Sequence, residues 1–387
     1  MIVTPFENRM AERGTRLPDL ADYFANRGTR VEYLTSNYSH AYKRHFSRTQ
    51  IERAREQAGY QLTIVPIPAY HKNVSIRRVF CNQVFAVKTW LWLLKNLRKG
   101  DVVVAPSRPV ELILAVALAV RLRGVGAVLD IRDIWPDALV TRSRLKRAVF
   151  SAYCHSILHV ALPLLTHFVH ISPSFETWLQ RYKRQARSSF LPPGYEKTRW
   201  LSSKPRVGPV EPGKLSLVFV GLLQLQLDVM PVLEAIEDRP DVSFTIVGDD
   251  GTGERYQDVM KFVSSRSNGN VTVKGRLSPE DVVRELVRHD VAVVPMVTNS
   301  IPNKVFDAIA SYMPLLVLGN KDCAQFVESQ GIGWGAEFTS SSVADLLDKL
   351  SGEELMARQK AVAQVRQRWS RDVLFERFSE VVEEALR

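Results

Sequence analysis

The sequence predicts an α/β fold made of two Rossmann-like domains, each a parallel sheet layered with helices. Three observations lead there. The chain has 387 residues, enough for two cores. Short apolar runs alternate with helix-period segments in both halves, the order of a parallel sheet. A stretch rich in proline, glycine and serine at 190–215 breaks that alternation once and reads as an interdomain linker.

The first half places strands at 2–6, 31–35, 62–67, 102–105, 127–130 and 167–171, each a short apolar run bounded by polar or turn residues. Helices are expected at 17–26, 75–97, 112–122 and 145–158. The first puts Leu17, Leu20, Ala21 and Phe24 on one face, and Arg27-Gly28 ends it. The second half repeats the pattern, with strands at 216–220, 243–247, 271–274, 291–295 and 315–318. The expected boundaries are 1–193 for the first domain, 194–214 for the linker, 215–365 for the second domain and 366–387 for a final amphipathic helix.

Composition narrows the class. Hydrophobic residues make up 45% and charged residues 24%, ordinary for a globular protein. No secretory leader and no run of about 18 apolar residues is visible. Cys81, Cys154 and Cys323 are far apart, have no metal-ligand spacing and suit a reducing compartment. A cytoplasmic protein is expected. The charge is uneven: residues 1–200 hold 31 Lys and Arg against 14 Asp and Glu, a net of +17, while 201–387 hold 21 against 27. A basic first half implies a polyanionic partner. The basic, aromatic stretches 76–99 and 142–165 suit an anionic membrane surface, so the protein is expected to sit peripherally on the inner face of the membrane. Nucleic acid is not expected, because no recognition motif is present.

Several motifs fall at the carboxyl ends of expected strands. At 291–320 a strand, a loop with Thr298, Asn299 and Ser300, a helix opening after Pro302 and a further strand follow in order. A helix that starts there, from Asn303, presents free N–H groups and a partial positive charge, a ready anion site. Asp307, in its second turn, would reach sugar hydroxyls near a bound phosphate. LVFVG at 217–221 ends a strand on Gly221, where backbone N–H groups can approach a diphosphate. Gly275-Arg276-Leu277 follows another strand and leads into a Ser-Pro-Glu helix start. Asp249-Asp250 is read as a turn rather than a metal site. Asp130-Ile131-Arg132-Asp133 puts charges at the end of a buried strand, where they are costly unless they face a cleft or pair with one another.

These motifs resemble retaining family-4 glycosyltransferases of the GT-B fold. The likeness covers nearly the whole chain and is densest at 124–137, 190–221 and 271–320. In that family two Glu separated by seven residues flank the donor loop and helix; Asn299 and Asp307 stand at those positions here. Ser300, Pro302, Lys304, Phe306 and Asp307 resemble the Ser-x-Pro-x-Lys-x-Phe-Glu pattern of the subgroup acting on lipid-linked or O-antigen-type acceptors. Asp130 to Asp137 resembles its Asp-x-Arg-Asp-x-Trp-Pro-Glu motif. The family usually follows the strand-end glycine with Lys or Arg, whereas Gln224 and Gln226 stand here.

The resemblance implies two Rossmann-like domains with a cleft between them, and sugar transfer from a nucleotide diphosphate sugar to a lipid-linked sugar or polysaccharide. It implies neither metal nor cofactor beyond that co-substrate. Asp133, Arg132 and Lys304 are the expected catalytic residues, with Lys304 replacing the missing cation or, alternatively, lying solvated on its helix. Gly221, Gln224, Gly275, Arg276, Leu277, Asn299, Ser300, Pro302, Asn303 and Asp307 would bind the donor. Arg9, Arg13, Gly14 and Arg16 would bind the acceptor or form a solvated basic loop. The departures at Asn299, Gln224 and Gln226 keep open a non-catalytic GT-B scaffold of a polysaccharide-assembly complex.

Overall fold

A computed structural model describes residues 1–10, 15–72, 75–139, 143–249, 251–266 and 269–387. The chain divides into two compact units, Met1–Leu191 with Phe375–Arg387, and Pro192–Leu374.

The first unit is built on strands β1 (Ile2–Val3), β2 (Glu32–Ser36), β5 (Gln61–Val65), β6 (Val102–Pro106), β7 (Gly126–Ile131), β8 (His167–His170) and β9 (Arg187–Phe190). They form one sheet in the order β5-β2-β1-β6-β7-β8-β9, every pair parallel. A hairpin, β3 (Tyr38–Ser39) and β4 (Arg44–His45), follows β2. The central strands are buried at nearly every position, which is why they read as continuous apolar runs. Helix Val110–Arg123 is apolar almost all round because it lies between helices Ile76–Asn96 and Arg144–Ala161. Helix Arg371–Leu386 contributes its residues from Phe375 onward to this unit. Its Ala385 carbonyl sits so near β7 that a Cβ on Gly126 would lie 1.9 Å from that oxygen.

Strand β1 is shorter than the expected 2–6 run, since the chain turns away at Pro5, which has no N–H for the ladder. Strand β9, Arg-Ser-Ser-Phe, carries no apolar run and is defined by its pairing with β8.

The second unit repeats the design with β10 (Leu215–Val220), β11 (Val242–Val247), β12 (Val271–Lys274), β13 (Val291–Pro295), β14 (Leu315–Leu318) and β15 (Gly333–Ala336). The order is β12-β11-β10-β13-β14-β15, again parallel. Strand β15 escapes the apolar-run criterion because two of its four residues are glycine. A Cβ on Gly333 would lie 2.2 Å from the Leu315 carbonyl oxygen, so the ladder with β14 leaves no room for a side chain. In each sheet the strand order reverses once, between β1 and β6 and between β10 and β13. Loops diverge at the carboxyl ends of strands beside such a reversal and leave a crevice for ligand.

Candidate active site

In the second unit the crevice lies between the ends of β10 and β13. Strand β10 ends at Val220, and the N–H of the next residue, Gly221, donates to the Val247 carbonyl at 2.8 Å. Beyond β13, Pro302 takes an extended conformation and helix Asn303–Ala310 begins with no side-chain cap on its first N–H groups. Lys304, in that first turn, reaches back to β10. Its Nζ lies 4.3 Å from the centre of the Phe219 ring and 3.0 Å from where a Cβ of residue 221 would stand. Glycine at 221 therefore leaves the ammonium its space. The Nζ is buried and has no hydrogen-bond partner among the described residues. Burial pushes its pKa down to about 8, against the opposing pull of Asp307. Burial also raises the Asp307 carboxyl above its usual range, with Arg199, Arg371 and Lys304 acting against it.

Loops tie the other candidate donor residues to this point. Gly248, at the end of β11, donates its N–H to the carbonyls of Lys274 (3.3 Å) and Gly275 (3.2 Å). A Cβ on Gly248 would stand 3.3 Å from the Gly221 nitrogen, so the turn at 275–277 connects through Gly248 to Gly221. Gly275 and Arg276 are exposed and Leu277 is half-buried. Gln224 lies in a tight turn closed by the Leu227 N–H on its carbonyl at 2.9 Å, and the Gln226 carbonyl accepts from Val297 beyond β13 at 3.3 Å. The Ser300 carbonyl accepts from Asn320 Nδ2 at 2.6 Å, while Asn320 Oδ1 accepts from the Cys323 N–H at 3.0 Å. That buried amide holds the loop before Lys304 against the next helix. Asn299 and Asn303 are exposed.

Asp249 acts as the centre of a turn. Its carboxylate accepts from the N–H groups of Leu223 (2.7 Å), Gly251 (2.9 Å) and Gly253 (3.1 Å). Asp250 lies outside the described residues.

In the first unit the charged residues after β1 and β7 form a buried network. The Asp130 carboxylate, fully buried, is flanked by Arg132 Nε at 3.2 Å and Arg16 Nε at 3.4 Å. Arg132 also pairs with Glu7. Its guanidinium stays charged: burial opposes the charge, but Glu7 and Asp130 outweigh it and raise the pKa. Asp133 is half-exposed, ion-paired with Arg108 at 3.0 Å, and its backbone is held by the Ser107 hydroxyl.

The expected acceptor set changes in this light. Arg16 is buried and committed to Asp130 and to the Leu191 carbonyl at 2.8 Å, so it organises the core rather than offering its guanidinium to a ligand. Arg9 pairs with Asp19 at 2.7 Å and with Asp22, its charge already answered. Arg13 and Gly14 lie outside the described residues. Sequence reasoning missed Glu7 and Arg108. Glu7 and Arg108 carried the same signal that marked Asp133, a charge just past the end of a buried strand.

Two parallel, once-reversed sheets in one chain define the class, and solved structures agree: the fold is GT-B. Anabaena HepE, solved in complex with UDP, superposes with a TM-score of 0.68 at 13% identity, over 99% of each chain. WaaG, described as a glycosyltransferase involved in lipopolysaccharide biosynthesis, superposes with a TM-score of 0.67 at 15% identity, over 99% of each chain. Residues 215–351 match the family described as Glycosyl transferases group 1. The chain is also 23% identical over 343 residues to the Pseudomonas aeruginosa protein named "Probable glycosyltransferase WbjE", covering 81% of this chain and 82% of that one. These matches support glycosyltransferase activity.

Proposed function

We propose that the chain transfers a sugar from a nucleotide diphosphate sugar to a lipid-linked or polysaccharide acceptor, with retention at the anomeric carbon, on an anionic membrane surface. The observation that carries this reading is the Lys304 ammonium, buried and without a partner at Gly221, inside the segment that matches the group 1 glycosyl transferases. A cation held out of water with no hydrogen-bonded counter-ion is costly unless a ligand supplies one. A nucleotide diphosphate does so. Its charge grows as the sugar departs, and Lys304 together with the first N–H groups of helix Asn303–Ala310 would stabilise it in a site of low dielectric. Asp307 would hold sugar hydroxyls, and Asp133 the hydroxyls of acceptor or donor sugar. Arg132, locked between Glu7 and Asp130, is a positioning residue in this reading. HepE in complex with UDP supports a uridine nucleotide as the first candidate.

Membrane contact is supported by charge and surface. The first unit holds 31 Lys and Arg against 17 Asp and Glu. Leu145 and Val149 are exposed beside Arg144, Lys146 and Arg147. Among the described residues no helix is long and apolar enough to cross a membrane. WaaG's place in lipopolysaccharide biosynthesis supports a cell-envelope acceptor.

Steady-state transfer by Lys304→Ala is the test: a loss of about a hundredfold is expected, the effect of removing one preorganised electrostatic stabiliser. Unchanged rates in a folded variant would overturn the assignment. A second reading, a GT-B scaffold without catalysis, is favoured by the uncharged, exposed Asn299 and by Gln224. Slow hydrolysis of a nucleotide sugar by the purified protein would count against it.

A further inference from the structure

A cavity of about 1210 Å³ lies in the first unit, at the amino-terminal edge of its sheet. It opens where β6, β7, β8 and β9 begin, at Asp101, Gly126, His167 and Arg187. Val381, Glu384 and Ala385, from the last turns of helix Arg371–Leu386, form one wall. Asp130 and Asp133 stand at the opposite, carboxyl end of β7, and the cavity shares no residue with the charged network there.

His167 gives the cavity its chemistry. The side chain lines the cavity and is only 6% exposed. It belongs to β8, between β7 and β9, and the register sets it beside Arg187. Its Nδ1 lies 2.8 Å from the Thr166 hydroxyl, whereas Nε2 is buried and has no hydrogen-bond partner among the described residues. Burial first, then Arg187 and Lys183, hold the ring's pKa below its ordinary value against the pull of Glu384, so the ring is neutral at pH 7. With the Thr166 hydroxyl donating to Nδ1, Nε2 carries the ring's proton and is a donor. Buried polar groups nearly always find a partner, and the cavity is the space from which one can come.

The charges around the ring favour an anion. Lys99, Lys183, Arg187 and Arg387 line the cavity against two carboxylates, Asp101 and Glu384. Lys183 donates to the carbonyls of Pro163 (3.1 Å) and Leu165 (2.7 Å), which leave its charge unanswered. Asp101 is turned to the Arg98 N–H at 2.7 Å. Between the charges stand Thr166, Gln185, Ser188 and Ser189, and no Phe, Tyr or Trp lines the cavity for a nucleobase to stack on. Hydroxyl and amide groups both donate and accept, which suits the hydroxyls of a sugar. Pockets for small molecules measure about 300–1,000 Å³, so there is room for a sugar ring beyond the anion.

We propose that this cavity binds an anionic saccharide, a sugar bearing a phosphate or a carboxylate. Arg187 and His167 Nε2 hold the anion, and the hydroxyl and amide side chains hold the ring. The site shares no residue with the candidate diphosphate site on Lys304 and stands whether or not the chain is a transferase.

The test is calorimetric titration of glucose 6-phosphate, glucuronate, inorganic phosphate and glucose into wild type, Arg187→Gln and His167→Leu at pH 7. Wild type should bind at least one of the two acidic sugars saturably, and more tightly than inorganic phosphate or glucose. The tighter of the two acidic sugars identifies the anion as phosphate or carboxylate. Each variant should lose about tenfold or more in affinity for it, as expected for a lost charge-assisted or buried hydrogen bond. Thermal unfolding checks that the variants fold; Arg187 is exposed, and its variant decides alone if His167→Leu does not fold. No saturable binding of either acidic sugar, or wild-type affinity in a folded variant, would overturn the site. Equal affinity for inorganic phosphate and the acidic sugars would overturn the saccharide.

Discussion

Replacing Lys304 with methionine should stabilise the second unit at neutral pH while weakening its hold on a nucleotide diphosphate. The magnitude follows from the ammonium's pKa, which falls from 10.5 to about 8 on folding. At 1.36 kcal/mol per unit, the charged form costs about 3 kcal/mol below pH 8. Between pH 8 and 10.5 the unfolded chain binds the proton and the folded one does not, so wild-type stability rises with pH across that window and is level above it. Methionine keeps the apolar stem beside Phe219 and removes the charge. It forfeits the cation–ring contact at 4.3 Å, on the order of 1 kcal/mol, leaving a net gain of about 2 kcal/mol at pH 7. Hydrogen exchange of β10 amides reads the local unfolding free energy of this unit. The gain should shrink between about pH 8 and 10.5 and vanish above that window, where Lys304 is neutral even when unfolded. Destabilisation at pH 7, or a gain that ignores pH, would refute the picture of an unpartnered buried cation awaiting an anion.

Three further outcomes are expected. Gly221→Ala, whose Cβ would stand 3.0 Å from Lys304 Nζ and 3.2 Å from the Phe219 ring, should displace the ammonium and weaken nucleotide binding about tenfold, a strain of 1–3 kcal/mol; calorimetric titration checks it. Arg132→Ala leaves Asp130 buried with a partner lost and should cost about 3–5 kcal/mol by denaturant unfolding, whereas Arg9→Ala, at an exposed pair, should cost about 1 kcal/mol or less. Transfer activity should survive EDTA, and Asp249→Asn should lower stability by about 1–3 kcal/mol through its backbone bonds. Strict dependence of activity on added magnesium or manganese would reverse that reading of the turn.

The parallel sheets were legible because buried strands are short apolar runs, as in β6, β10 and β13. Strands β9 and β15 were not, since one is polar and the other glycine-rich, and only pairing with a neighbour makes them strands. At the candidate site, Lys304 stood out as a cation in the first turn of a strand-end helix. Its burial beside Gly221 depends on a packing of β10 against β13 that no local pattern encodes. Arg16 shows the reverse case. A run of arginines reads as a solvated basic loop, yet Asp130, distant in sequence, draws this one inside.

The most direct measurement is calorimetric titration of UDP, GDP, ADP and CDP into the wild-type protein and into Lys304→Ala at pH 7 and pH 9. The expected result is saturable binding of at least one nucleotide diphosphate, weaker at pH 9 as Lys304 loses its proton, and weaker by about tenfold or more in the variant at pH 7. Absence of heat or competition for all four, or equal affinity in the variant, would contradict a diphosphate site on Lys304.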